Sequence, residues 1–394
     1  MTQRIAPHLF SAAIFFCLIG LIVFPSESLD ASTRGLELWW TIIFPSLLPF
    51  FILSDLLPQS NWTSYLGRLM EPLMKPVFNV SGQGAIVLLL GFSSGFPVGA
   101  KMSVKLYNEG KLSLIDAQRL VCFTNGASPI FIMGAIAAGL LHTPKIGILL
   151  LIAHYLGNII IGILAGRLTR GGKSALDDRP IPAKLQPFSF GHALQTAVVT
   201  SVQQLLVIGG LIIFFSVISE LAVRFHLFDL PVSLLNEAGT FVNLSSDWAT
   251  GFLVGILEIS NGVATVANAD HGFLFTCVLI LAIVSFGGFC IHAQIIACIH
   301  DSPIRYYPFL LWRIVHLFIS PILFIILFRF IESYPSLLPL FGSSVSTVSL
   351  QTWTENTMEW FHTYGPLISI GMIFITIIIL SFPFYNNEKK ITWR

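Results

Sequence analysis

The sequence predicts an all-α polytopic membrane protein, with about eight transmembrane helices and two re-entrant helical hairpins set in inverted-topology repeats. Three observations lead there. The first is composition: 55% apolar and 10% charged residues in 394, with a mean hydropathy of +0.81, leave too little polar surface to wrap a soluble protein. The second is a pair of similar stretches, Gly91-Phe92-Ser93-Ser94-Gly95-Phe96-Pro97-Val98-Gly99-Ala100-Lys101 and Gly251-Phe252-Leu253-Val254-Gly255-Ile256-Leu257-Glu258-Ile259-Ser260-Asn261-Gly262. Each opens on Gly-Phe and a GxxxG, and each is followed 35 or 36 residues later by a second break, Asn125-Gly126 or Gly287-Gly288. Paired broken segments in two halves of a chain point to a secondary transporter's binding site. The third is the placement of charge.

Apolar runs long enough to cross about 30 Å of hydrocarbon are His8 to Phe24, Glu37 to Leu57, Leu120 to Leu141, Lys145 to Leu168, Thr200 to Arg224, Phe273 to Ile299, Tyr306 to Phe330 and Gly365 to Phe384. With Arg4 cytoplasmic, sixteen of the 21 Lys and Arg residues fall inside and four outside, with Arg313 left within a span, a positive-inside pattern that puts both termini in the cytoplasm. It holds only if the two Gly-Phe segments do not cross the membrane. They therefore read as re-entrant hairpins, the first entering from the cytoplasm and the second from outside.

The boundaries follow. Residues 1–81 hold scaffold spans and an interfacial helix, Asn61 to Val77, with Trp62, Tyr65, Leu66, Leu69 and Met70 on its apolar side. Within it, Pro45 and Pro49 should kink or break the second span. The first span is expected to be retained, because no small-x-small cleavage motif follows Phe24. Residues 82–168 form the first repeat of a hairpin and two spans. Residues 169–250 hold a flexible cytoplasmic linker, Thr169 to Pro187, a scaffold span and an outer loop. Residues 251–330 form the second repeat, and 331–394 an outer loop, a last span and a basic tail.

Backbone broken at membrane depth frees amides and carbonyls that must find partners in protein, water or substrate. Ser93, Ser94 and Pro97 break the first hairpin while Gly91, Gly95 and Gly99 line one face; the serines are candidate substrate contacts, and the glycines also suit close helix packing. At Thr124-Asn125-Gly126-Ala127-Ser128-Pro129, a half-helix starting at Ser128 aims N-terminal amides into the membrane, where an anionic carboxylate fits. A proline kink satisfied by neighbouring helices is the other reading. Glu258, beside Ser260 and Asn261, is a charged group at membrane depth, hence a candidate proton or cation coupling site, a structural ion-pair partner, or a hairpin-tip residue. His292, after the Gly287-Gly288 break, is a second coupling candidate or a hydrogen-bonded core histidine. Arg313 and Lys101 either neutralise an anion or lie at the cytoplasmic face, Arg313 by snorkelling. The five cysteines lie in apolar runs without metal-ligand spacing, so no metal site or disulfide framework is expected. No nucleotide-binding loop, nucleophile elbow or room for a catalytic domain is visible, no cofactor is implied and no nucleic-acid partner is expected.

These residues resemble the YlbJ (SpoVV) family of sporulation integral membrane proteins, within the nucleoside-recognition or Gate group. The resemblance is carried by Leu38-Trp39-Trp40 with Pro45-Ser46-Leu47-Leu48-Pro49-Phe50-Phe51, Leu66-Gly67 with Glu71-Pro72-Leu73-Met74, the first Gly-Phe stretch, Glu109-Gly110-Lys111-Leu112-Ser113, and Phe123-Thr124-Asn125-Gly126-Ala127-Ser128-Pro129-Ile130-Phe131. It implies a carrier moving dipicolinate across the outer forespore membrane during endospore formation, and a distant likeness to concentrative nucleoside transporters. Those carriers place acidic and amide side chains on their hairpins for ribose and sodium; here the first hairpin has no acidic residue, which argues against a nucleoside. The substrate-binding candidates are then Ser93, Ser94, Lys101, Thr124, Asn125, Ser128, Ser260, Asn261 and Arg313, with H+ or Na+ as coupling ion and a homo-oligomer as the expected assembly. A membrane organiser without transport is the alternative from another class, and an intramembrane hydrolase built on Ser128 and His292 a remote third.

Overall fold

A chain whose peptide groups must satisfy one another away from water folds into helices, and among the described residues every regular element is helical. The computed structural model describes residues 2–56, 62–168, 190–240, 248–269 and 272–333. The chain divides into two units, Met1–Gly342 and Ser343–Arg394, and the described residues all lie in the first. The linker Thr169 to Pro187 and the span Gly365 to Phe384 lie outside them.

Helix α1 (Thr2–Val23) is followed by α2 (Pro25–Leu38), a π-helical segment Trp39–Ile43 and α3 (Phe44–Leu56). Pro25 takes the first helical position, where its missing N–H costs nothing, and the helices on either side of Phe24 meet at 106°. After α4 (Trp62–Phe78) come two short helices, α5 (Gly84–Ser94) and α6 (Val98–Asn108), then α7 (Leu114–Phe123), a π-helical segment Ile130–Leu140 and α8 (Ile146–Leu168). The long α9 (Phe190–Arg224) and α10 (Asp229–Thr240) lead to a second series: short α11 (Trp248–Leu257) and α12 (Ile259–Ala267), then α13 (Phe273–Phe286), α14 (Gly288–Ile299) and α15 (Tyr306–Glu332). The order short pair, broken helix, long helix thus occurs twice.

Among the described residues, four helices are long and apolar enough to cross a membrane, Ile146–Leu168, Gly191–Arg224, Phe273–Ile299 and Tyr306–Ile331, and a fifth span results if the bent pair at Phe24 is counted as one. Of the eight spans read from composition, Gly365 to Phe384 lies outside the described residues, and two others are divided in the structure. The apolar run Leu120 to Leu141 is α7 and a π-helical segment separated by five non-helical residues, 124–128, with Gly126 among them and Pro129 opening the next helical turn. Glu37 to Leu57 does not start as its own span; it is shared between the end of the bent helix and α3.

Each short pair is seated on the break that follows it. A Cβ on Gly91 or Gly99 would collide with the backbone of Thr124, and one on Gly95, at φ +82°, would lie 2.7 Å from Ser128 N. Phe96 N donates to Gly126 O at 2.9 Å, and Asn125 Oδ1 accepts from Ala100 N at 2.8 Å while its Nδ2 donates to Val121 O. The second pair repeats the seating: a Cβ on Gly288, at φ +64°, would lie 3.0 Å from Gly255 O.

The remaining freed groups are met by side chains of α8 and α15. Ala127 N donates to His154 Nε2 at 3.0 Å, which leaves the proton of a neutral ring on Nδ1, 3.2 Å from Ser285 Oγ. Tyr155 Oη donates to Phe92 O and Ala127 O. Arg313, 1% exposed, donates from Nη2 to Asn158 Oδ1 (2.8 Å) and Cys122 O (3.2 Å), and from Nη1 to Ser285 O (3.4 Å). His316 places Nδ1 3.2 Å from Ser285 O and Nε2 3.1 Å from His154 O. Cys122 ends one broken helix and Ser285 the other, so α15 ties the two breaks together.

Arg313→Met removes the donor from three buried acceptors at about 1–3 kcal/mol each. It is expected to lower the thermal midpoint of the detergent-solubilised protein far below that of Ile314→Ala, a truncation at a half-exposed neighbour; equal midpoints would show that the guanidinium is dispensable. Gly99→Ala is expected to destabilise as well. Gly134→Ala, whose Cβ meets nothing closer than 4.0 Å, should be neutral or gain up to about 1 kcal/mol of helix propensity, and the reverse order would remove the seating argument.

Candidate functional site

A cavity of about 70 Å³ lies where the breaks converge. The first short pair contributes Ser94, Gly95 and Phe96, the first broken helix Ser128, Ile130 and Phe131, the second short pair Glu258, Ile259 and Ser260, and α14 contributes Cys290, Ile291 and Gln294. Apolar side chains of α9, Ile208 and Ile212, and Ile42, Ile43 and Leu47 close the wall. Four of the residues singled out from sequence, Ser94, Ser128, Glu258 and Ser260, therefore share one cavity although they come from segments up to 166 residues apart in the chain.

The polar groups on that wall differ in how far they are satisfied. Ser128 Oγ accepts from Phe131 N at 3.3 Å, capping the segment that follows. Glu258, 1% exposed, is the N-cap of α12: Oε1 accepts from Ser260 N at 3.1 Å and Oε2 from Asn261 N at 2.8 Å. A carboxylate at a helix N-terminus is placed where the macrodipole is positive. Ser94 Oγ, on a residue 3% exposed, meets no hydrogen-bond partner among the described residues. Gln294 Nε2 has, among the described residues, Cys290 Sγ at 3.5 Å. A buried hydroxyl without a partner and an amide with a weak one are donors open to a ligand.

The other sequence candidates stand elsewhere. Ser93 Oγ donates to Leu90 O and Thr124 Oγ1 to Leu120 O, each within or at the end of its own helix. Asn125 joins α6 to α7, and Asn261 Nδ2 reaches Ser216 and Ser219 of α9 at 3.5 and 3.4 Å. His292 lies between Tyr306 Oη (2.8 Å) and Phe286 O (3.1 Å), holding the carbonyl freed at the second break. Arg313 does not snorkel; it is enclosed by the two breaks. Glu258 sits opposite neither Lys101 nor Arg313.

Lys101 lines a second cavity of about 440 Å³ together with Asp55, Lys105, Thr196, Thr200, Gln204 and Cys298, among others. It pairs with Asp55 Oδ2 at 3.0 Å, and Lys105 with Asp55 Oδ1 at 3.1 Å. Asp55, 6% exposed, is a further buried carboxylate, at the end of an apolar run where composition made it look like a span boundary. The sequence reading passed over Ser285 and His316, which meet the His154 ring and the His154 carbonyl at separations of 131 and 162 residues; His154 itself stands out in the sequence, with Tyr155 and Asn158, as a polar group on the span after the first break. Among the described residues no group of three or more His, Cys, Asp or Glu is placed to hold a metal ion.

A family model described as Gate, nucleoside recognition, matches residues 40–165, which run from the end of the bent helix through the first repeat. Over 406 aligned residues the chain is 33% identical to the sporulation integral membrane protein YlbJ of Bacillus subtilis (strain 168), covering 98% of this chain and 99% of that protein. No solved structure matches the chain. With a relative of that identity along nearly its whole length, the chain belongs to the YlbJ family of sporulation integral membrane proteins.

Proposed function

We propose that the chain is a membrane carrier of a small organic anion, dipicolinate, working by alternating access across the outer forespore membrane, with both termini in the cytoplasm and no chemical conversion of its cargo. The observation that carries this reading is the convergence of both short pairs and both broken helices on one buried cavity that holds the unpartnered Ser94 hydroxyl and the weakly bonded Gln294 amide. A non-transporting organiser has no use for broken backbone at that depth, which costs stability unless every freed group finds a partner. The short pairs support re-entrance: helices of 9 to 11 residues are about 14–17 Å long, half of what a crossing needs. Dipicolinate rather than a nucleoside suits the donors on the first repeat's wall and the lack of an acidic residue on the first hairpin. Sporulation, which the name of the Bacillus subtilis relative states, places a small dianion among the solutes to be moved.

The family model's description favours one second reading, a nucleoside carrier. Both are tested by uptake of labelled dipicolinate and labelled uridine into liposomes holding the purified protein, with and without imposed proton or sodium gradients. Dipicolinate is expected to enter and uridine not to. Ser94→Ala and Gln294→Leu should each raise the apparent KM for dipicolinate about tenfold or more, since a hydrogen bond to a charged group contributes about 1.5–3 kcal/mol. Uridine uptake with dipicolinate excluded replaces the substrate assignment, and exclusion of both by folded protein removes the carrier reading.

A further inference from the structure

The larger cavity and the hairpin cavity share no residue, yet they lie end to end on the same helices. On α9, Thr200 and Gln204 line the larger one and Ile208 and Ile212 the smaller. On α14 the order is Cys298, then Gln294 and Cys290. In each helix the two linings are four residues apart, one helical turn or about 6 Å.

The larger cavity has what the smaller lacks, namely cationic groups. Lys101 and Lys105 stand one turn apart on α6, close enough for one carboxylate to touch both, and a carboxylate does: Asp55 accepts from Lys101 through Oδ2 and from Lys105 through Oδ1. Lys101 is 7% exposed, with its ammonium 4.5 Å from the centre of the Phe51 ring. Two ammonium groups face one carboxylate beside a cavity wide enough for a small molecule, and the other acid of the lining, Glu109, is held by Lys111 at 2.7 Å, so positive charge predominates around the two lysines. By the positive-inside pattern this end of the protein faces the cytoplasm.

Resting on the carrier reading, we propose that Lys101 and Lys105 form a docking station for the substrate anion in a vestibule one turn before the hairpin cavity. Asp55 is its resident counter-ion, and a substrate carboxylate takes its place. Because Asp55 competes with the substrate, the station releases cargo toward the hairpin cavity when Asp55 returns.

The test is calorimetric titration of the purified full-length protein with dipicolinate, with neutral pyridine as control, on the native chain, Asp55→Asn and Lys105→Gln, alongside liposome uptake. Asp55→Asn should tighten dipicolinate binding at least threefold and slow uptake, since cargo is no longer displaced, and Lys105→Gln, at a partly exposed lysine that should tolerate replacement, should weaken binding about tenfold. In a Cys17→Ser background, dipicolinate should also slow modification of Cys298 by a charged methanethiosulfonate; if that thiol does not react, the titrations alone decide. Uptake by the native chain with binding unchanged in both variants overturns the vestibule and leaves the carrier standing. The expected order of affinities without uptake supports the station and removes the carrier, and a native chain that neither binds nor takes up dipicolinate removes both.

Discussion

A guanidinium buried to 1% exposure with neutral hydrogen-bond partners is the constraint around which the two repeats are arranged. Moving such a charge out of water costs several kcal/mol even after relaxation, so something must stand in for a counter-ion. Cys122 O and Ser285 O, its acceptors, belong to the last turns of α7 and α13, where each helix macrodipole is equivalent to about half a negative charge. Two such ends turned on one guanidinium match its charge. The match requires that both helices stop where they do. A continuous helix at either place would consume the carbonyl and remove the dipole end, so the breaks and Arg313 depend on each other. The seating of the short pairs depends on both, because the backbone they pack against is held in its unwound form by this contact.

Glu258 obeys the same rule with the sign reversed, a carboxylate held by the amides that open α12. The charge occupies a helix end that an anionic substrate would otherwise use, which gives the hairpin cavity a polarity. On the second repeat's side stands a fixed carboxylate. On the first repeat's side stands Ser94, with no acidic residue in its stretch. A carboxylate entering that cavity would be repelled from one wall and offered a hydroxyl on the other.

The breaks were legible because their causes are local. Gly126 with Pro129, and Gly287 with Gly288, weaken a helix locally, and although Gly209-Gly210 stays helical inside α9, the repetition of Gly-Phe and GxxxG at matching distances marks the two breaks as one device used twice. What the sequence did not disclose is which side chains answer the broken backbone, since those contacts span 131 residues from His154 to Ser285 and 191 from Cys122 to Arg313. The expectation that Arg313 snorkels treated its helix as facing lipid; its 3.2 Å contact with a carbonyl of another break is visible only in three dimensions. Asp55 was passed over because hydropathy windows blur the end of an apolar run.

The distribution of directional bonds decides where this protein resists displacement. The two repeats are joined to each other by Arg313, His316, the His154–Ser285 contact and the pair of bonds between Gln118 and Arg305. The scaffold is joined internally, with Trp39 Nε1 donating to Leu205 O at 2.9 Å across to α9. Between scaffold and repeats the core is largely apolar, Leu47, Phe51, Leu205 and Ile208 against Leu90, Val98 and Met102, and such contact is non-directional and tolerates sliding. Among the described residues, the polar bonds from α3 and α9 to the repeats include two long ones from Asn261, 3.4 and 3.5 Å, and the short ion pairs from Asp55 to Lys101 and Lys105. Any shift of the repeats against α3 and α9 therefore meets its main directional resistance at Asp55, and a second carboxylate arriving at the lysines weakens that resistance by competing for the same ammonium groups.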